Sequence, residues 1–314
     1  MRKTLFPLHP VSKTAECLIY HDESKEVFGK NVWAHALFFV PESASGELLS
    51  QLWARRKTHG CEDKKLHFAN ISGDKISEED GSIVIKEWLQ YGIEALRSKG
   101  SVCKPALSCK LGVIFFQTSL DLDLYGGGTE DEKMLRYFEI VLRMLLKGCA
   151  HGLYDQNNRL RIKGIITDGE PWHRELDKMR ILDRLISEAR EYVQIDGGAY
   201  IEGIVSDHTS LNCTDSSKAQ FLQLTDLLLG SVIHCCFREK KYRSKKEIII
   251  RPVREMLEKR KRGAGFLRSG HYRSFSLSFA HIDKGQWKFE QVDTKEIIYE
   301  DSQLKLFGLN EGAE

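Results

Sequence analysis

Four acidic signals in the chain have the residue types and positions for chemistry. Asp22-Glu23 closes the apolar run that begins at Cys17-Leu18-Ile19-Tyr20. Asp168 closes the run Leu160 to Thr167, and Asp207 follows the run Tyr200 to Val205. Asp226 lies in the middle of Ser216 to Ile233, SSKAQFLQLTDLLLGSVI, a stretch apolar nearly all round, three residues after Gln223. A carboxylate inside such a helix must shed water, which is unfavourable without a compensating partner. Carboxylates drawn together from separate elements also repel, so a site that gathers them calls for cations. An all-oxygen ligand set suits Mg²⁺ or Mn²⁺. Two such ions roughly 3.5–4 Å apart are the usual arrangement for phosphodiester hydrolysis. The chemistry implied is metal-assisted hydrolysis.

Strand alternation separates the first two acids. Successive side chains point to opposite faces, so Asp22 shares its face with Leu18 and Tyr20, and Glu23 shares its own with Ile19 and His21. In a regular strand only one of them reaches a shared ion. Asp22 is the expected ligand and Glu23 the accessory.

The surrounding elements must bring these positions together. The Cys17 strand is followed by an apolar run, Val32 to Val40, its natural antiparallel partner, which Pro41 stops. Gly46 to Lys57 reads as a helix, Lys64 to Phe68 as a short third strand, and Ile83 to Leu96 as a helix behind the capping sequence Ser77-Glu78-Glu79-Asp80. Leu107 to Gln117 is a strand. Thr129 and Glu132 form a capping box for a helix to about Lys147. A further helix is expected from Trp172 to Tyr192, and Tyr200 to Val205 is a strand. Tyr272 to Phe279 and Gln286 to Val292 read as a closing hairpin. An antiparallel start followed by alternating helices and strands implies an α/β mixed sheet with helices on both faces. Functional groups collect at strand ends in such folds.

The string Tyr20-His21-Asp22-Glu23-Ser24, then Leu66-His67, then Asp168 at a strand end, then Gln223-Leu224-Thr225-Asp226, resembles the bacterial and archaeal domain-of-unknown-function family 3800, which is grouped with RNase H-like folds. The resemblance covers about residues 15 to 240. It implies an RNase H-like mixed sheet with Asp22, Asp168 and Asp226 as metal ligands and Glu23 accessory. The chain departs from the family's pattern at Lys25, where a Gly is usual, and at Lys65, where an acidic residue is usual. His67 is therefore expected to contact phosphate or to be a structural histidine.

Other positions carry two readings. Gln223 orients Asp226 or a water, or lies on a helix surface. Asp207 joins the site or caps the loop toward Leu211. Asp168 precedes Gly169, so a turn role competes with the metal role. Glu170 with Pro171 opens a helix. Gly126-Gly127-Gly128 lacks both the Walker lysine-serine pair and the Rossmann spacing, so it reads as a loop before a nucleotide cradle.

The chain falls into a leader over residues 1–14, a main domain over 15–240 and a basic extension over 241–314 with the hairpin packed on the domain. Hydrophobic residues make up 41% and charged residues 29% of 314, which suits a globular protein, and the formal net charge of +2 announces no polyanion partner by itself. The Lys/Arg runs Arg238 to Lys246 and Arg251 to Arg262 supply a local basic surface for a nucleic-acid backbone. No apolar stretch is expected to be long enough to span a bilayer and no secretory leader is visible near Met1. The eight cysteines are scattered with no Cys-x-x-Cys pair, so no structural zinc site or disulfide framework is expected and a cytoplasmic setting follows. The leading expectation is a Mg²⁺- or Mn²⁺-dependent nuclease acting on RNA or DNA, in bacterial defence or a mobile element. The alternative is a non-catalytic nucleic-acid- or partner-binding module of the same fold.

Overall fold

Strand β1 (Lys13–Ser24) lies third from one edge of a mixed sheet that has seven strands among the described residues. The structure is a computed structural model and describes residues 13–25, 27, 32–73, 75–78, 81–96, 109–117, 126–154, 158–168, 175, 180–189, 193–204, 216–237, 244–261, 274–283 and 286–291. The leader up to residue 12, Asp207 and Glu170 lie outside the described residues. So do residues 172–174, 176–179 and 190–192 of the helix expected from Trp172 to Tyr192, and everything after residue 291.

The strands are β1, β2 (Val32–Pro41), β3 (Lys110–Gln117), β4 (Asn158–Asp168), β5 (Val193–Ile204), β6 (Phe275–Asp283) and β7 (Gln286–Gln291). Their order across the sheet is β5-β4-β1-β2-β3-β6-β7. β1 and β2 pair antiparallel across a short connection, and β3, reached through α1 and α2, pairs antiparallel with β2. β4 then pairs parallel to β1 on its other side, and β5 parallel to β4. β6 adds parallel to β3, with β7 antiparallel at the edge.

The helices are α1 (Glu42–Thr58), α2 (Ser82–Leu96), α3 (Glu130–Leu153), α4 (Ile181–Ala189), α5 (Ser216–Phe237) and α6 (Lys245–Lys261). They cover both faces. α1, α2, α5 and α6 share one core with Tyr20, Phe38, Phe115 and Ile166. α3 and α4 share the other with Ile19, Leu37, Ile114 and Ile165. The capping box opens α3 as expected: Thr129 accepts from Glu132 N–H while the Glu132 carboxylate accepts from Thr129 N–H.

β4 contains an irregularity that decides the site. Leu160 and Ile162 face the α3/α4 core, and so does Ile165, whereas Ile166 faces the α5 side. The alternation slips by one residue at Lys163, where the pairing with β1 jumps from Ile162 to Gly164. A bulge of this kind moves every later side chain to the other face. Asp168 thereby falls on the face of Ile166, which is also the face of Tyr20 and Asp22.

Three expectations need correction. Lys64 to Phe68 is not a strand: Leu66 and Phe68 donate their N–H groups to side chains of α5, so the segment has no need of a strand partner. A single 3₁₀ turn, Phe68–Asn70, follows it. The basic run after Lys245 is a helix that buries Ile249, Ile250, Val253, Met256 and Leu257, and the hairpin extends the central sheet. Both are continuous with the main core. α5 is long and apolar enough to cross a membrane on length and composition alone, but 78% of its apolar window is buried inside the protein. It packs on β1, β2, β4, α1, α2 and α6, which accounts for apolar residues on every side. Its buried hydroxyls are satisfied locally, Thr225 donating to Phe221 O (2.8 Å) and Ser231 to Leu227 O (2.6 Å).

Arg56, fully buried near the end of α1, ties this arrangement together. Its guanidinium lies over the Trp88 ring at 4.7 Å. It donates to Cys61 O (2.8 Å), Lys64 O (2.5 Å) and Gln223 Oε1 (2.6 Å). No carboxylate is among these acceptors, and burial pulls its pKa down to about 10. The planar fork is what reaches three oxygens at once, which a lysine ammonium cannot do in the same place. Arg56→Lys should destabilise the protein by roughly 3 kcal/mol or more, read as a lower urea midpoint with an unchanged slope.

Candidate metal-binding site

The ladder of β1 and β4 ends with His21 opposite Thr167. Asp22 and Asp168 are each the next residue, so they stand side by side at the C-terminal ends of adjacent parallel strands. Tyr20 and Ile166, one pair earlier on the same face, pack against α5, and the Tyr20 and Phe221 rings are 4.9 Å apart. α5 then carries Asp226 to the strand ends. The three carboxylates are close enough that the charges of Asp226 and Asp168 act on Asp22, and that of Asp168 on Asp226.

Burial is the largest influence on Asp22 and holds its carboxyl well above the usual carboxylate range. The negative charges of Asp226, Asp168 and Glu23 push it further up. Asp226 is also raised, by burial first, against the opposing pull of His67, Phe68 N–H and Lys65. Its two oxygens have separate neighbours. Oδ2 accepts from Phe68 N–H at 2.7 Å, and Oδ1 lies 3.4 Å from His67 Nε2. His67 Nδ1 accepts from Ala69 N–H at 3.0 Å, which places the imidazole proton on Nε2, toward Asp226. His67 thus supports a carboxylate, the role its neighbour Lys65 argued against, while its side chain stays 42% exposed.

Gln223 does not act on Asp226 directly through these contacts. It is buried, and its Oε1 accepts from Leu66 N–H (3.0 Å) as well as from Arg56. Gln223 and Asp226, three residues apart on one helix face, hold alternate N–H groups of the Leu66–Phe68 segment. The glutamine therefore sets the segment whose next N–H fixes the aspartate. Phe68 seats against Gly230, where a Cβ would collide with its ring. Lys246 Nζ lies over the Phe68 ring, 4.8 Å from its centroid.

Glu23 falls on the opposite face of β1. Its side chain is beside Lys25 (3.2 Å to Oε1) and His35 (3.8 Å from Nδ1 to Oε2). Asp22 and Glu23 therefore diverge, and only the first joins Asp168 and Asp226. Arg56, Phe68 and Gly230 belong to the site's support and were missed from sequence; Arg56 reads as an ordinary surface residue in the basic triplet Arg55-Arg56-Lys57.

No family model matches the chain, and no curated protein or solved structure does either.

Since the folded protein holds protons on Asp22 and Asp226 more tightly than the unfolded chain does, this contribution to stability is present at low pH. It is lost as pH rises from the ordinary aspartate value of 3.8 through the higher folded values. In chelator, the melting temperature should accordingly fall over that rise in pH. Asp22→Asn should flatten the dependence and melt higher than wild type at pH 7. A wild-type melting temperature that climbs with pH across this window would contradict the assignment.

Proposed function

We propose that the protein is a divalent-metal-dependent nuclease that hydrolyses phosphodiesters of RNA or DNA. The observation that carries this reading is the placement of Asp22 and Asp168 at the ends of adjacent parallel strands, with Asp226 on the helix packed over them and near enough for its charge to act on Asp22. Three like charges brought together at the edge of a core are unfavourable unless a cation joins them. The donors are all oxygens, which fits Mg²⁺ or Mn²⁺. An antiparallel β1-β2-β3 start, parallel β4 and β5 beyond β1, and helices on both faces support an RNase H-like organisation for this site.

In this reading Asp22, Asp168 and Asp226 hold the ions. When bound, the ions supply an activated water and stabilise charge on the phosphoryl oxygens. Phe68 N–H and His67 keep Asp226 oriented, and Gln223 and Arg56 keep the Leu66–Phe68 segment in place behind them. Lys65 and Lys246, near the same segment, attract a phosphate backbone toward the carboxylates. Part of the C-terminal basic run is occupied elsewhere: Arg254 makes a two-pronged pair with Glu247 (2.8 and 2.7 Å) and Lys245 donates to Ser72 O (2.7 Å). The nucleic-acid contact therefore centres on the carboxylate end of the sheet.

Labelled single- and double-stranded RNA and DNA should be cleaved in Mg²⁺ or Mn²⁺ and not in chelator. Asp22→Asn and Asp226→Asn should each slow cleavage on the order of 100-fold or more, with the fold intact by circular dichroism. Salt-dependent binding with no cleavage under either metal would instead identify a non-catalytic binding module. Cleavage indifferent to both substitutions would remove the site assignment.

A further inference from the structure

A second cluster lies across β1 from the three aspartates. His21 and Glu23 are two residues apart on one strand and so share a face, and His35 stands directly opposite Glu23 on β2. His21 Nε2 is 3.1 Å from His35 Nδ1, and Glu23 Oε2 is 3.8 Å from that same nitrogen. One donor atom from each of the three residues fits within 4.8 Å of the others. We propose that His21, Glu23 and His35 bind a divalent first-row transition ion, with zinc as the representative case.

The spacing suits the ion. Zinc bonds to histidine nitrogen and carboxylate oxygen are about 2.0–2.2 Å, so donors around a tetrahedral zinc are about 3.3–3.5 Å apart. The separations of 3.1 and 3.8 Å about His35 Nδ1 lie on either side of that spacing. Two imidazoles with one carboxylate form a borderline set that favours zinc and its neighbours over Mg²⁺. It differs in kind from the all-oxygen set on the other face.

The groups behind the ligands are also placed to orient them. His35 Nε2 lies 3.3 Å from Tyr137 Oη, on the far side of the ring from the cluster. A proton on that nitrogen, donated to the tyrosine, leaves Nδ1 with its lone pair toward His21 and Glu23. Metal-bound histidines are ordinarily held by such an outer hydrogen bond. Lys25 pairs with Glu23 Oε1, which leaves Oε2 on the histidine side. Phe116 and Phe138 pack edge-on against the His35 ring at 6.0 Å, giving a dry wall. Both histidines are buried, and Glu23, 8% exposed, marks the way in beside Lys25. Three protein ligands leave a fourth position for water, as in open zinc sites.

The test uses the full chain stripped with chelator and titrated with Zn²⁺ against a chromophoric competitor, and with Co²⁺ followed by visible absorption. A double variant, Asp22→Asn with Asp226→Asn, removes the carboxylate site and separates the two proposals. This double variant should bind one equivalent of zinc and give a cobalt spectrum of low coordination number. Glu23→Gln should weaken zinc binding about 100-fold, and Tyr137→Phe about tenfold through loss of orientation. Metal-free melting curves establish that each variant is folded, and Glu23→Gln, at the rim, decides the matter should His21→Gln or His35→Gln fail to fold. Absence of zinc binding in the double variant, or unchanged affinity in Glu23→Gln, would overturn the proposal.

Discussion

Burial of acidic side chains at the strand ends, to which Asp168 and Asp226 add repulsion on Asp22, is the constraint around which the rest of the site is arranged. Left in water these side chains would separate. Here each is fixed by an element that has no freedom to retreat. β1 is central in the sheet, β4 is paired on both edges, and α5 is enclosed by the sheet and three helices. Fully buried leucines on α5, each stabilising by about 2 kcal/mol, offset the unfavourable placement of Asp226.

Support for Asp226 runs through a short chain of polar contacts. Arg56 fixes the 61–64 turn and Gln223, Gln223 fixes Leu66, and two residues later Phe68 fixes Asp226. Every link is a buried or half-buried hydrogen bond, and in such surroundings an unmade bond is expensive. The stretch from Cys61 to Phe68 thus behaves as a rigid part of the site.

Much of this was legible in the residues. Apolar runs marked most of the strands, the capping box marked the start of α3, and a carboxylate inside an apolar stretch marked α5. Alternation along β1 separated Asp22 from Glu23. What was illegible depended on contacts between distant residues. Regular alternation along β4 would put Asp168 with Leu160 and Ile162; the slip at Lys163 reverses that, and nothing in the run of residues announces it. Leu66 to Phe68 looked like a strand because its backbone is extended, yet its hydrogen bonds go to side chains. In α6 the frequent Lys and Arg concealed a buried face of Ile249, Val253 and Met256. His21, Glu23 and His35 were missed as a group because their proximity arises from strand register.

The placement of Asp226 so late in the chain bears on when the carboxylate cluster first exists. Synthesis proceeds from the N-terminus, and domains fold as their parts emerge. β1 can pair with β2 and β3 early, but the cluster is incomplete until α5 has left the ribosome and threaded between the sheet and α1 and α2. A nascent chain that has emerged only as far as β5 therefore carries Asp22 and Asp168 without the third carboxylate.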